Sequence, residues 1–218
     1  MLESFFPKPK QFFVCAIAWS LFGVFSWYLG GKELGLYFGL EFPAKDAPPV
    51  IGLGHFTTPD FLWFYFYYFF FTLLFYLFWA FYSPHKWQIW SILGSALILF
   101  FTYYQVQVAV AVNNWYRPFY DAIQNALSGS STTTATDLYG YIFSFLILAM
   151  TYVLFSIVTS FFVSHYVFRW RTAMNDFYTA KWSLVRHIEG ASQRIQEDTM
   201  RFASIMKSLG VSIVDAVM

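Results

Sequence analysis

The chain has 218 residues, of which 58% are hydrophobic, 25% aromatic and only 11% charged, and the formal net charge is +1. A soluble domain is about a quarter charged, so this composition excludes a water-facing surface and points to a membrane protein. The near-neutral charge also excludes a strongly basic nucleic-acid binder, and the single cysteine, Cys15, supplies neither an internal disulfide nor a zinc site.

A helix crosses the roughly 30 Å hydrocarbon core with about 20 mostly apolar residues. The first stretch that qualifies is Phe12 to Leu29, uncharged throughout. It comes after Lys8 and Lys10 as a secretory signal would, but it is too long for a signal core and no small-x-small cleavage site succeeds it, so it reads as a retained helix. A connector comes next, 30–60, in which Pro43, Pro48, Pro49, Pro59, Gly52 and Gly54 predict irregular exposed backbone. The second span, Phe61 to Tyr82, is dominated by aromatic rings that encircle the helix, as lipid contact and ordinary packing would have it.

The third span, Ile89 to Val112, holds two strongly polar residues, Gln105 and Gln107. Amides at mid-depth face protein or water; they line a polar cavity or make an interhelical hydrogen bond. A second loop is predicted from Asn113 to Asp137, containing Pro118 and a polar run from Ser128 to Thr136, with Thr136–Asp137 as the N-cap of the next helix. From Asp137 to Glu189 there is no proline and one early glycine, Gly140, which predicts a single helix roughly 80 Å long. Its first part, Leu138 to Val163, is the fourth span. Gly190 is the predicted stop and Ser192 the N-cap of a returning helix. A fifth span is predicted to start at 205–218, with an apolar segment from Val211 to Met218, where the sequence ends.

Lys and Arg next to spans stay cytoplasmic. With the N-terminus inside, ten basic residues (Lys8, Lys10, Lys86, Arg169, Arg171, Lys181, Arg186, Arg194, Arg201, Lys207) lie inside, and Lys32, Lys45 and Arg117 lie outside. The bias predicts loops 30–60 and 113–137 outside and the 164–204 turn in the cytoplasm.

Five blocks resemble the SbmA/BacA family of bacterial inner-membrane peptide transporters. They are Phe5–Phe–Pro–Lys–Pro9, 82–94 (YSPHKWQIWSILG), 111–121 (AVNNWYRPFYD), 164–175 (SHYVFRWRTAMN) and 187–202 (HIEGASQRIQEDTMRF). The resemblance implies an all-α polytopic membrane protein with ABC-exporter-like transmembrane helices and a long cytoplasmic helical hairpin. Residues 1–82 would be two accessory helices, and 83–218 the first part of an ABC-type membrane domain. It further implies a homodimeric carrier in the inner membrane that imports peptides, including proline-rich antimicrobial peptides and microcins, on the proton gradient. The family's chains are longer, and this one would stop inside its fifth span.

Proton coupling needs carboxylates that can change charge. Glu189, Glu197 and Asp198 lie close together near the inner membrane face and are the candidates. The alternative is salt bridging with Arg186, Arg194 and Arg201 at helical spacings, in a hairpin turned at Gly190. His85, His165 and His187 fall at inner membrane borders and read as structural. No cofactor is expected: the one Gly-Lys pair, Gly31–Lys32, lacks the Ser/Thr of a phosphate loop, and no catalytic arrangement marks an enzyme. The rival function is a non-transporting membrane scaffold that alters envelope lipid composition.

Overall fold

The computed structural model describes residues 2–44, 47–128 and 133–217; the side chains of Val185, Arg194, Lys207 and of 209–217 fall outside that description, as do Lys45 and Gly129. Every regular element described is helical. In chain order these are α1 (Pro9–Ser26), α2 (Leu34–Tyr37), α3 (Pro59–Tyr82), α4 (Ser95–Leu127), α5 (Ala135–Ala180), α6 (Trp182–Val185) and α7 (Ala191–Val217). A wider turn, Trp27–Gly31, follows α1 and is kinked at Gly30 (φ +147°), and a π-turn through Ile89–Gly94 leads into α4. Four stretches among the described residues are long and apolar enough to cross a membrane: Pro9–Gly31, Pro59–Tyr82, Ile89–Leu127 and Ala135–Ala180. The protein is therefore an all-α membrane protein with four long apolar helices.

Most of the apolar surface on these helices is exposed, as lipid-facing helices require. On α3, only Trp63, Phe75 and Trp79 are buried, while Phe66, Phe70, Phe78 and Phe81 face outward. The helices pack into two compact units, each drawing on residues from both sides of Tyr82. In the first unit (Met1–Phe25, Phe70–Phe100, Thr159–Met218), the core is Phe5, Phe6, Phe12, Phe75, Trp79, Ile92, Tyr166, Trp170, Ala173 and Met174. Gly94 allows a close approach there: a Cβ on it would lie 3.1 Å from the Tyr166 ring, whose hydroxyl meets the Ser95 hydroxyl at 2.7 Å. In the second unit (Ser26–Phe69, Phe101–Val158), Phe56, Val108, Ala111, Trp115 and Leu148 form the core.

Several element ends differ from the sequence expectation. α4 does not stop at Val112 but runs to Leu127, with Pro118 inside it, so much of the expected second loop is helix. Hydropathy falls off there, yet Trp115 and Ala122 are buried and hold the helix by packing rather than by lipid burial. The N-cap of α5 is Thr134, not Thr136. Its backbone N–H donates to Asp137 Oδ2 at 2.9 Å and the Asp137 N–H donates back to Thr134 Oγ1 at 3.3 Å, a reciprocal capping box. α5 ends at Ala180 rather than Glu189, because Lys181 leaves the helical region (φ −97°, ψ 11°). Beyond it the periodic apolar residues Trp182 and Ile188 are exposed, so no burial supports a longer helix. Even so, 46 residues span roughly 70 Å, far more than a bilayer core. Gly190 takes φ +72°, the left-handed conformation that ends helical segments, and α7 starts at Ala191, which puts Ser192 inside the first turn instead of at the cap.

The first connector is not wholly irregular. Gly52–Thr57 forms a 3₁₀ turn whose Phe56 is buried and stacks on Tyr104 at 4.7 Å.

Candidate functional site

α7 returns along α5. Trp182 and Ser192 line one cleft near the turn, and farther on Phe202 meets the edge of Trp170 with ring centres 5.1 Å apart. This turn carries the three candidate carboxylates, all of them exposed. Glu197 accepts a hydrogen bond from Gln193 Nε2 at 3.1 Å and faces Arg201 Nη2 at 3.9 Å. Both partners sit one helical turn away, the spacing at which side chains meet on one face. Arg194, the other expected partner, has its side chain outside the described residues. Asp198 is adjacent on the helix, about 100° around the axis from Glu197, and Glu189 precedes the turn at Gly190.

The amides of the third span separate. Gln105 and Gln107 are two residues apart, about 200° around the helix, so they cannot face one direction. Both are half-buried. Gln107 hydrogen-bonds the side chains of His55 and Tyr103, which ties the connector turn to α4 within the second unit. Burial pushes the His55 imidazole below its ordinary value, and the Gln107 hydrogen bond opposes that shift.

The histidines are built into the packing to different degrees. His165 accepts from Arg169 Nε at 3.2 Å, and Arg169 also lies over the Trp90 ring. His187 is exposed. His85 accepts the Trp87 backbone N–H at Nδ1, 3.3 Å away, and burial holds its pKa below 6.5 against a hydrogen bond to the Glu3 backbone. A folded group that binds its proton less readily than the unfolded one stabilises the fold at neutral pH. That contribution is lost as pH falls through the histidine range. Thermal unfolding in detergent should therefore shift to lower temperature between pH 7.5 and 5.5, and His85→Gln should remove part of that pH dependence. An unchanged dependence would exclude His85 as a contributor.

Sequence reasoning did not anticipate two features. Phe5 and Phe6, in a short segment flanked by charges, are core residues of the first unit. The second is a cleft of about 640 Å³ between the end of α5 and the start of α7, lined chiefly by polar side chains including Arg171, Asn175, Ser192 and Gln196. Its only advance signal is that Arg171, Asn175 and Thr179 recur at helical spacing.

Residues 84–218, from the segment before α4 through α7, match the SbmA/BacA-like family. This chain belongs to that family. The match takes in the α5–α7 turn with Glu189, Glu197 and Asp198, while α1–α3 and the Phe5–Pro9 block lie outside it. SbmA/BacA is a transporter family, and membership points to peptide transport rather than catalysis.

Proposed function

We propose that this chain serves a proton-gradient-driven importer of peptides, of the class that takes up proline-rich antimicrobial peptides and microcins across the bacterial inner membrane. The observation that carries the reading is the family match over 84–218, joined to four membrane-length helices. In this reading the N-terminus is cytoplasmic, as the distribution of basic residues favours. The α5–α7 turn is then a cytoplasmic hairpin, the helices from α4 onward are arranged as in an ABC exporter's membrane domain, and the carrier is a homodimer. The driving force comes from protons, and no cofactor is invoked.

Glu189, Glu197 and Asp198 are the proposed coupling carboxylates. Glu197 is the first to test, because its partners are known. Glutamine mimics only the neutral form of a coupling carboxylate. Its stability cost is small, since an exposed pair contributes about 0.3–0.5 kcal/mol. In cells producing this chain joined to the second half of a longer family member, a labelled proline-rich peptide should accumulate under an imposed outside-acid gradient and stop accumulating when a protonophore collapses it. Glu197→Gln at matched membrane levels should flatten the dependence of initial uptake rate on that gradient. Gradient curves parallel to wild type would leave Glu197 to its contacts with Gln193 and Arg201. Absence of uptake under either condition would reject the carrier and favour a non-transporting scaffold.

A further inference from the structure

Among the described residues, the lining of the cleft between α5 and α7 has one formal charge, Arg171, and no carboxylate. Several other cations of this unit are engaged. Arg169 is held by His165 and Trp90, Lys86 pairs with Asp176 at 2.8 Å, Arg201 faces Glu197, and Lys181 lies over the Phe177 ring at 4.0 Å. Arg171 has no ion pair among the described residues and is exposed. The polar groups beside it divide in the same way. The Thr172 and Thr199 hydroxyls donate to carbonyls of their own helices, Phe168 O at 3.0 Å and Ile195 O at 2.7 Å. The Asn175 and Gln196 amides and the Ser192 hydroxyl make no such bond among the described residues, which leaves donors converging on the space beside Arg171. Such a cleft attracts an oxyanion and repels a cationic side chain.

One face of α5 continues from the cleft toward the apolar part of the helix. Phe168 lies three residues before Arg171 and Phe161 seven before that, so the three share a helical stripe. Phe168 is 59% exposed and Phe161 72% exposed, and Phe161 lies in the apolar stretch Leu138 to Val163. A soluble anion would use only the polar end of this stripe. A ligand with an anionic head and hydrocarbon tails uses both.

We propose that the α5–α7 cleft seats the phosphate headgroup of an anionic membrane phospholipid, with Arg171 on the phosphate, Asn175, Ser192 and Gln196 on the remaining headgroup oxygens, and the acyl chains along Phe168 and Phe161. The proposal does not depend on what the protein transports.

The test uses the purified chain in detergent, stripped of lipid and offered equal amounts of phosphatidylglycerol and phosphatidylcholine, with retained lipid counted by native mass spectrometry. Wild type should retain phosphatidylglycerol in preference. Arg171→Gln should cut that preference about fivefold, the factor that one interfacial cation contributes against an anionic headgroup. Arg171→Lys should keep most of it. Gln196→Glu, which leaves the arginine in place but adds a negative charge to the lining, should also lower it. Lys10→Gln removes the same charge from an exposed site elsewhere and should leave the preference intact. Equal retention of the two lipids, or a preference indifferent to Arg171→Gln, overturns the proposal. So does an equal loss in Lys10→Gln, which would mean diffuse electrostatics. Displacement of the lipid by glycerol phosphate at the same concentration would show a site for soluble anions. Displacement by a free-carboxyl peptide but not its amidated form would show a peptide site. Either result rejects the lipid.

Discussion

Phe5→Ala is expected to destabilise the protein by about 3–5 kcal/mol, the range for deleting a fully buried aromatic side chain whose cavity cannot collapse. Phe5 is fully buried although it lies only four residues from the chain start. Its ring stacks on Trp170 with centres 5.2 Å apart and planes 14° from parallel, and it meets Tyr166 edge-on at 5.3 Å. Phe6 packs its edge on the same Trp170 at 5.4 Å. Each aromatic pair adds about 0.5–1.5 kcal/mol beyond its buried area, so the N-terminal segment is fastened to α5 by several contacts at once. Phe5→Leu keeps much of the volume and should cost about 1.5 kcal/mol. Leu2→Ala, at a site 41% exposed, should stay within about 0.5 kcal/mol. Unfolding in detergent, tracked by denaturant titration of the three variants, reads these differences directly. If Phe5→Ala costs no more than Leu2→Ala, the segment is not docked on α5.

The contrast between Phe5 and the apolar helices shows what was legible in the sequence. A run such as Phe61 to Tyr82 announces itself because lipid burial depends only on composition over about 20 residues. The spans therefore began within three residues of where composition alone placed them. Phe5–Phe6 carry no such signal, since two aromatic residues between a charge and a proline have no period, and only the partner rings on α5 decide their burial. The end of α5 failed in the opposite sense. Its apolar spacing continues through Trp182 and Ile188, but both side chains are exposed, and periodicity without a partner surface does not keep a helix going. Likewise, the Gly190 turn was readable from the residue type because the left-handed conformation it adopts belongs mainly to glycine. The capping box was missed by two residues because Thr134 and Thr136 are equally good caps by type. The position of Asp137 three residues after Thr134 decides between them. At the candidate site, Glu197 and Arg201 were paired correctly from their spacing. The separation of Gln105 from Gln107 is likewise a consequence of helical geometry, whereas the bond from Gln107 to His55 joins residues 52 positions apart and has no local signature.

The helical course of α4 beyond Val112 makes the last prediction, that Trp115→Ala will cost about 3–5 kcal/mol and loosen residues 113–127. A proline in a helix interior costs about 3 kcal/mol or more, through a missing N–H and a clash with the preceding turn. Pro118 is such a residue, in a segment whose hydropathy has already fallen. Local preference there argues for a loop, so tertiary contacts must offset the penalty, and they centre on Trp115. Its ring is 6% exposed, stacks on Phe119 at 4.4 Å and lies 4.9 Å from Phe145 of α5. Its indole N–H donates to the Tyr141 carbonyl at 2.8 Å. Phenylalanine preserves most of the ring contact and loses that hydrogen bond, a change of about 1 kcal/mol. Tyr120 is 59% exposed, and Tyr120→Ala should change stability by no more than about 0.5 kcal/mol. Hydrogen exchange supplies the second reading. Amides of 113–127 are protected by helix formation, and in Trp115→Ala their protection should drop while that of 95–112, in the apolar part of α4, is retained. Loss of protection across the whole of α4 would mean that Trp115 holds the helix as one unit. Unchanged protection in 113–127 would mean that the segment is helical for reasons other than this packing, and the account of how Pro118 is tolerated would fail.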